Sequence, residues 1–274
     1  MVETTTAADL TPRLKERLAD GAYRRIRLSV EDAIATVALS NPEHRNAVDH
    51  DMHAEIDDVF AAIHRDGAIR AVVLTGDPAG RAFCAGGNFD WLGREAPTGE
   101  GYAEILRVGA DLVRSILGTR QPVVSAVTGS AIGLGCTLAL MGDVVYIGEE
   151  TVIADPHVGI GVVAGDGGAA LWPMLVGPHR AKEFLMTGDR LTGRQAADMG
   201  LVNHAVPADR VLEEAHAMAR RLASGPRLAV EFTKASVNLL MRQQLEQVLT
   251  ASLAMEGISF HTEDHRAMLA AMQR

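Results

Sequence analysis

Short runs rich in Val and Ile recur along this chain at 70–75, 122–127, 143–147 and 202–206, and helically spaced stretches at about 50–65 and 101–118 alternate with them. Strands buried on both faces read as near-continuous apolar runs, and their alternation with helices places them in a largely parallel sheet covered by those helices. The fold class is therefore expected to be α/β. Before the first of these runs, Ile26, Leu28 and Val30 alternate and Ala33 to Leu39 continues the pattern, which predicts a hairpin closed by Asn41-Pro42. Beyond Pro207 no strand signal remains, and 209–270 reads as about four helices. Three segments result: a helical extension over 1–22, where Leu10, Leu14 and Leu18 recur at i, i+4; a core over 23–206; and a helical region over 207–274.

One stretch competes with this reading. Val123 to Gly142 runs twenty residues without a charge, long enough to span a bilayer. It nevertheless contains four Gly, two Thr and two Ser, opens on a β-branched cluster and runs directly into Asp143. A buried strand, a turn and a buried helix account for it better.

Charge and composition exclude other classes. At 274 residues the chain can bury a large core without staples. A formal charge of −9 repels phosphate backbones and anionic bilayers, and 11 aromatics make a base-stacking platform a poor fit. No nucleic-acid or membrane partner is expected. The two cysteines, Cys84 and Cys136, cannot build a disulfide framework or a four-thiolate metal site, which points to a reducing, cytosolic compartment. The start, with interspersed acids and bases, does not read as a signal peptide.

Ten of the 27 glycines fall between Gly129 and Gly168, about a seventh of the chain. Two segments there and upstream share one design, a strand, a small-residue turn and a helix: Ala71 to Asn88, ending Ala82-Phe-Cys-Ala-Gly-Gly-Asn88, and Pro122 to Cys136. Free N–H groups at a helix start favour negative charge. Two such turns facing each other can hold a developing oxyanion; equally, glycine turns before helices serve packing alone.

Taken together, Asn41-Pro-Glu-His-Arg-Asn-Ala-Val48, Ala82 to Asn88, the Gly129 to Cys136 turn, Leu185-Met-Thr-Gly-Asp189 and Ala196-Ala-Asp-Met-Gly-Leu-Val202 resemble the enoyl-CoA hydratase/isomerase (crotonase) superfamily, in consistent order over about 24–270. The resemblance implies a spiral of ββα units, a C-terminal helical region that builds a trimer or a dimer of trimers, and an acyl-CoA thioester as the substrate, with no separate cofactor and no metal. It also implies that the thioester oxygen sits between the backbone N–H groups of Gly87 and Leu134. Adenine and pantetheine contacts map to Arg45, Ala47, Ala85 and Phe89. Asn88 stands where the family usually has Asp, and Lys234 matches a family lysine that reaches CoA phosphates; a solvated helix face is the other reading of Lys234.

The departures concern chemistry. Hydratases of this family carry two glutamates that position and deprotonate water, and here those positions read Thr137 and His157. Ordinary hydration of a 2-enoyl-CoA is therefore in doubt. The local substitutes are His157, which can donate or accept a proton near neutrality, and Asp166, with Asp155 as a third group. Isomerase, hydrolase or decarboxylase chemistry on His157 and Asp166 stays open, as does a CoA-thioester-binding protein that lost its base. For each residue a structural role stands beside the functional one: a helix cap for Asp166, a turn acid for Asp155, a packed core histidine for His157. His261 and His265, spaced i, i+4, lack a third zinc ligand, and His50 and His53 are expected at the surface. Loop 94–118 is expected to shape the acyl end, and its Arg94 to Gly101 stretch has no readable period.

Overall fold

The computed structural model describes residues 10–19, 21–95 and 99–272. The helix α1 (Pro12–Leu18) is capped by Thr11 and buries Leu14 against α2, so the leucine spacing of the extension marks a packed face. The expected hairpin is β1 (Ile26–Glu31) and β2 (Ile34–Leu39), antiparallel through a two-residue turn in which Asp32 and Ala33 both take positive φ. That left-handed turn matches the right-handed twist of the paired strands.

After the hairpin come α2 (His50–Arg65), β3 (Ala71–Gly76), α3 (Phe89–Glu95), α4 (Gly99–Gly118) and β4 (Val123–Val127). The uncharged stretch continues with β5 (Ala131–Ile132) and α5 (Leu134–Leu140), so Val123 to Gly142 is strand, turn and helix as expected. Next are β6 (Val144–Gly148), β7 (Val152–Ala154), α6 (Gly168–Val176), α7 (Pro178–Thr187), β8 (Leu191–Thr192), α8 (Gly193–Asp198) and β9 (His204–Val206). The six-stranded sheet has the order β1-β2-β3-β4-β6-β9, parallel throughout except for the hairpin, and a small second sheet is ordered β5-β7-β8. Every residue of β3 and β4 is buried, because helices cover both faces.

The C-terminal region holds α9 (Val211–Ala223), α10 (Arg227–Phe260) and α11 (Glu263–Met272). Where about four helices were expected, three α-helices follow a single 3-10 turn, and α10 runs unbroken for 34 residues. No proline interrupts it after Pro226. The first of the three, α9, packs on Val73, Val124 and Tyr146, forming the second side of the core. Among the described residues no helix is long and apolar enough to cross a membrane.

Candidate active site

Backbone pairing laces the two glycine turns together. Phe83 and Cys84 N–H groups donate to Ser130 O at 3.1 and 3.2 Å, Ile132 N–H donates to Cys84 O at 3.0 Å, and Val48 bridges Gly87. The starts of α3 and α5 are thereby held side by side. Among the described residues the Gly87 and Leu134 N–H groups have no hydrogen-bond partner, and both residues line one cavity of about 360 Å³. Gly133, just before α5, has φ +56°, and a Cβ there would stand 3.3 Å from the His157 ring. Only glycine makes this turn and leaves the ring its place.

His157 forms the opposite chemical feature of the cavity. Its Nδ1 lies 2.5 Å from Asp155 Oδ1 and its Nε2 lies 3.4 Å from Asp166 Oδ2, with side-chain exposures of 13%, 1% and 12% respectively for His157, Asp155 and Asp166. Thr137, buried on α5, donates to Asp166 Oδ1 at 3.4 Å. Burial opposes the charged imidazole, but the Asp155 and Asp166 carboxylates and their hydrogen bonds outweigh it and hold His157 well above the usual histidine range. His157 is accordingly held as an imidazolium, with Asp166 beside its Nε2. Ligand atoms of Asp155, His157 and Asp166 lie within 4.8 Å of one another, a spacing a metal ion could also use.

The residues singled out in the sequence separate into groups. Ala85, Gly87, Phe89, Leu134, His157 and Asp166 share the cavity wall. Arg45 and Ala47 are not among the cavity-lining residues; Arg45 is tied to the wall only through its O, which accepts from Ala85 N–H at 3.1 Å. Asn88 is buried and accepts from Trp91 N–H at 3.0 Å, so it caps α3 and holds the turn. Lys234 lies elsewhere: its ammonium is buried 2.7 Å from Asp143 Oδ2 and donates to Gln121 O at 2.9 Å, beneath the start of β4. Neither the solvated face nor a free cation for a phosphate describes it.

Three further groups were underread or unread in the sequence. Asp155, weighed as a turn acid, is the histidine's tightest partner. His53, expected at the surface, is 4% exposed and lines the cavity. It falls on the same stripe of α2 as Met52, Ile56, Val59, Phe60 and Ile63, so helical periodicity carried the signal. Its Nδ1 lies 3.0 Å from Asp49 O, and burial lowers its pKa to about 4, leaving it neutral. Glu256 on α10 also lines the cavity, with no signal in the sequence around it. The loop expected to shape the acyl end contributes through α4, whose Ile105 and Gly109 reach the cavity; residues 96–98 lie outside the described residues. Cys84 and Cys136 are free, buried thiols, with burial pushing Cys84 up to about 12.

Comparison with known proteins matches most of the chain. Residues 29–273 match the enoyl-CoA hydratase/isomerase family. The chain is 31% identical over 250 residues to crotonyl-CoA hydratase of Syntrophomonas wolfei, covering 91% of this chain and 95% of that protein. It is 30% identical over 245 residues to 1,2-epoxyphenylacetyl-CoA isomerase of Escherichia coli, covering 88% and 92%. The crystal structure of an enoyl-CoA hydratase/isomerase from Mycobacterium paratuberculosis has a TM-score of 0.84 at 37% identity, covering 90% of this chain and 98% of that one.

Proposed function

The chain belongs to the enoyl-CoA hydratase/isomerase (crotonase) family and is an acyl-CoA enzyme of that family, and on that premise we propose a lyase or isomerase that moves protons on the acyl chain through His157 and Asp166. The observation that carries this reading is the imidazole of His157 clamped between two carboxylates on the wall of the cavity that also holds the unpaired Gly87 and Leu134 amides. Asp166 removes a proton from the acyl chain, the electron pair moves onto the thioester oxygen, and the two amides stabilise the resulting enolate. The His157 imidazolium then delivers a proton to a different atom of the substrate, and Asp166 passes the captured proton back to the ring. Asp155 keeps Nδ1 occupied, so the reactive proton sits on Nε2. Thr137 orients Asp166, because an unassisted hydroxyl is a poor base.

Arg45, Ala47, Ala85 and Phe89 border the nucleotide and pantetheine path, with Asn88 shaping the turn between them. Exposed Phe232, Leu239, Leu240 and Ile258 on α10 support a closed trimer or dimer of trimers that covers them. The two free buried thiols fit a cytosolic setting.

A panel of acyl-CoA thioesters, read by mass spectrometry of the products, tests the assignment. Crotonyl-CoA hydration is expected to be weak or absent, since general acid–base groups contribute about 10²–10⁴-fold each. His157→Gln and Asp166→Asn are each expected to lower kcat by that order on the true substrate. Wild-type kcat in both variants would refute the proton-transfer roles, and tight binding without turnover across the panel would leave a binding protein.

A further inference from the structure

The long helix α10 carries a carboxyl into the cavity that the reaction above does not use. Glu256 is 8% exposed, shares the cavity with His157 and Asp166, and among the described residues its Oε2 has no hydrogen-bond partner. Its place is set from two sides. Ser252 Oγ donates to Gly165 O at 2.9 Å, tying α10 to the turn that carries Asp166, and Tyr102 Oη on α4 donates to Leu253 O at 2.5 Å. The approach depends on glycine: a Cβ at Gly165 would fall 2.6 Å from Glu256 Oε2. Burial, and after it the Asp166 carboxylate, push the Glu256 carboxyl well above its usual range. It is therefore a neutral group able to donate a hydrogen bond. Buried donors without an acceptor are rare in folded proteins because they forfeit their bonds to water.

We propose that Glu256 selects acyl-CoA substrates whose chain bears an oxygen beyond the thioester, an oxo or hydroxyl group, by donating a hydrogen bond to that oxygen. The inference rests on the acyl-CoA reading above. A plain alkyl chain in the cavity would leave the donor shut away from water and unpaired, while an oxygenated chain supplies the acceptor the protein itself lacks. A site built to hydrogen-bond a substrate oxygen discriminates strongly against the analogue without it.

The test uses matched pairs of CoA thioesters of equal length, with and without an oxo group at successive chain positions, on the full-length wild type, Glu256→Gln and Glu256→Leu. Calorimetry on saturated pairs gives a ratio of Kd values, and kcat/KM on the enoyl pairs gives a second ratio. Wild type is expected to favour the oxygenated member by at least about tenfold at one position. Glu256→Gln, which keeps a donor, retains most of that preference, and Glu256→Leu brings the ratio toward one. A ratio between two ligands on one protein does not move with a general loss of stability. A wild-type ratio near one at every position overturns the proposal, as does an unchanged ratio in Glu256→Leu. If no CoA thioester binds at all, the acyl-CoA reading falls with it; if both members bind and react equally, only the role of Glu256 falls.

Discussion

Replacing Asp155 by Asn isolates the charge that holds His157 protonated. The Asp155 side chain is 1% exposed and its Oδ1 lies 2.5 Å from His157 Nδ1, while Asp166 stands 3.4 Å from the other ring nitrogen. Asparagine keeps the shape and an oxygen to accept from Nδ1–H, and loses the charge. Stripping a buried ion of its partner costs about 3–5 kcal/mol, whereas a hydrogen bond to a charged group contributes about 1.5–3 kcal/mol. Because Asp166 and an acceptor remain, the smaller range applies. For a chain of this size about 2–4 °C accompanies each kcal/mol, so the thermal midpoint falls by several degrees near neutrality.

The dependence on pH carries a definite sign. His157 is held well above its unfolded range, so the stability it contributes is fully present below the unfolded histidine value of about 6.5 and is lost as pH rises through the folded value. The gap between wild type and Asp155→Asn is therefore widest on the acid side and closes as pH increases. The groups bearing on the ring are Asp155, Asp166 and, across the cavity, Glu256. With His157 acting as an acid, the alkaline limb of the kcat profile moves to lower pH in the variant. Following the His157 ring resonances by NMR through the same titration gives an independent reading. An alkaline limb at the same pH in both proteins, or an unmoved ring titration, would refute the reasoning.

Gly87→Pro removes one amide donor outright, and transition-state stabilisation should drop by about 2.7–4 kcal/mol, read as kcat/KM; unchanged turnover would dismiss the oxyanion assignment. Lys234→Met removes the buried ammonium and leaves a solvent-reaching Asp143, whose Oδ2 still accepts from Val123 N–H at 2.7 Å. Denaturant unfolding should show a loss of about 1 kcal/mol or less, with KM for acyl-CoA unmoved; a raised KM at intact stability would return Lys234 to the CoA site. Light scattering at micromolar concentration should report a trimer or hexamer, and a stable monomer would contradict the covering of the α10 apolar face.

What the sequence determined by itself is whatever local periodicity can carry. Strands at 70–75, 122–127 and 143–147 and the helix at 50–65 were legible because buried parallel strands and amphipathic helices imprint their own spacing on neighbouring residues. The two glycine turns, and the pairing of His157 with Asp166 across nine residues, were legible for a related reason: each lies within its own short, glycine-bearing segment. The tertiary structure decided everything that depends on which distant groups meet. Asp155 could be a turn acid or a histidine partner until the chain direction between them was known, and Lys234 could face solvent until Asp143 and Gln121 were placed against it. His53 went unread although its stripe on α2 was there, because a histidine's burial is settled by what covers it, here Trp91. Glu256 left no local mark at all, since a single acid on a long helix acquires its meaning only when α10 folds back over the turn at Gly165 and shuts it away from water.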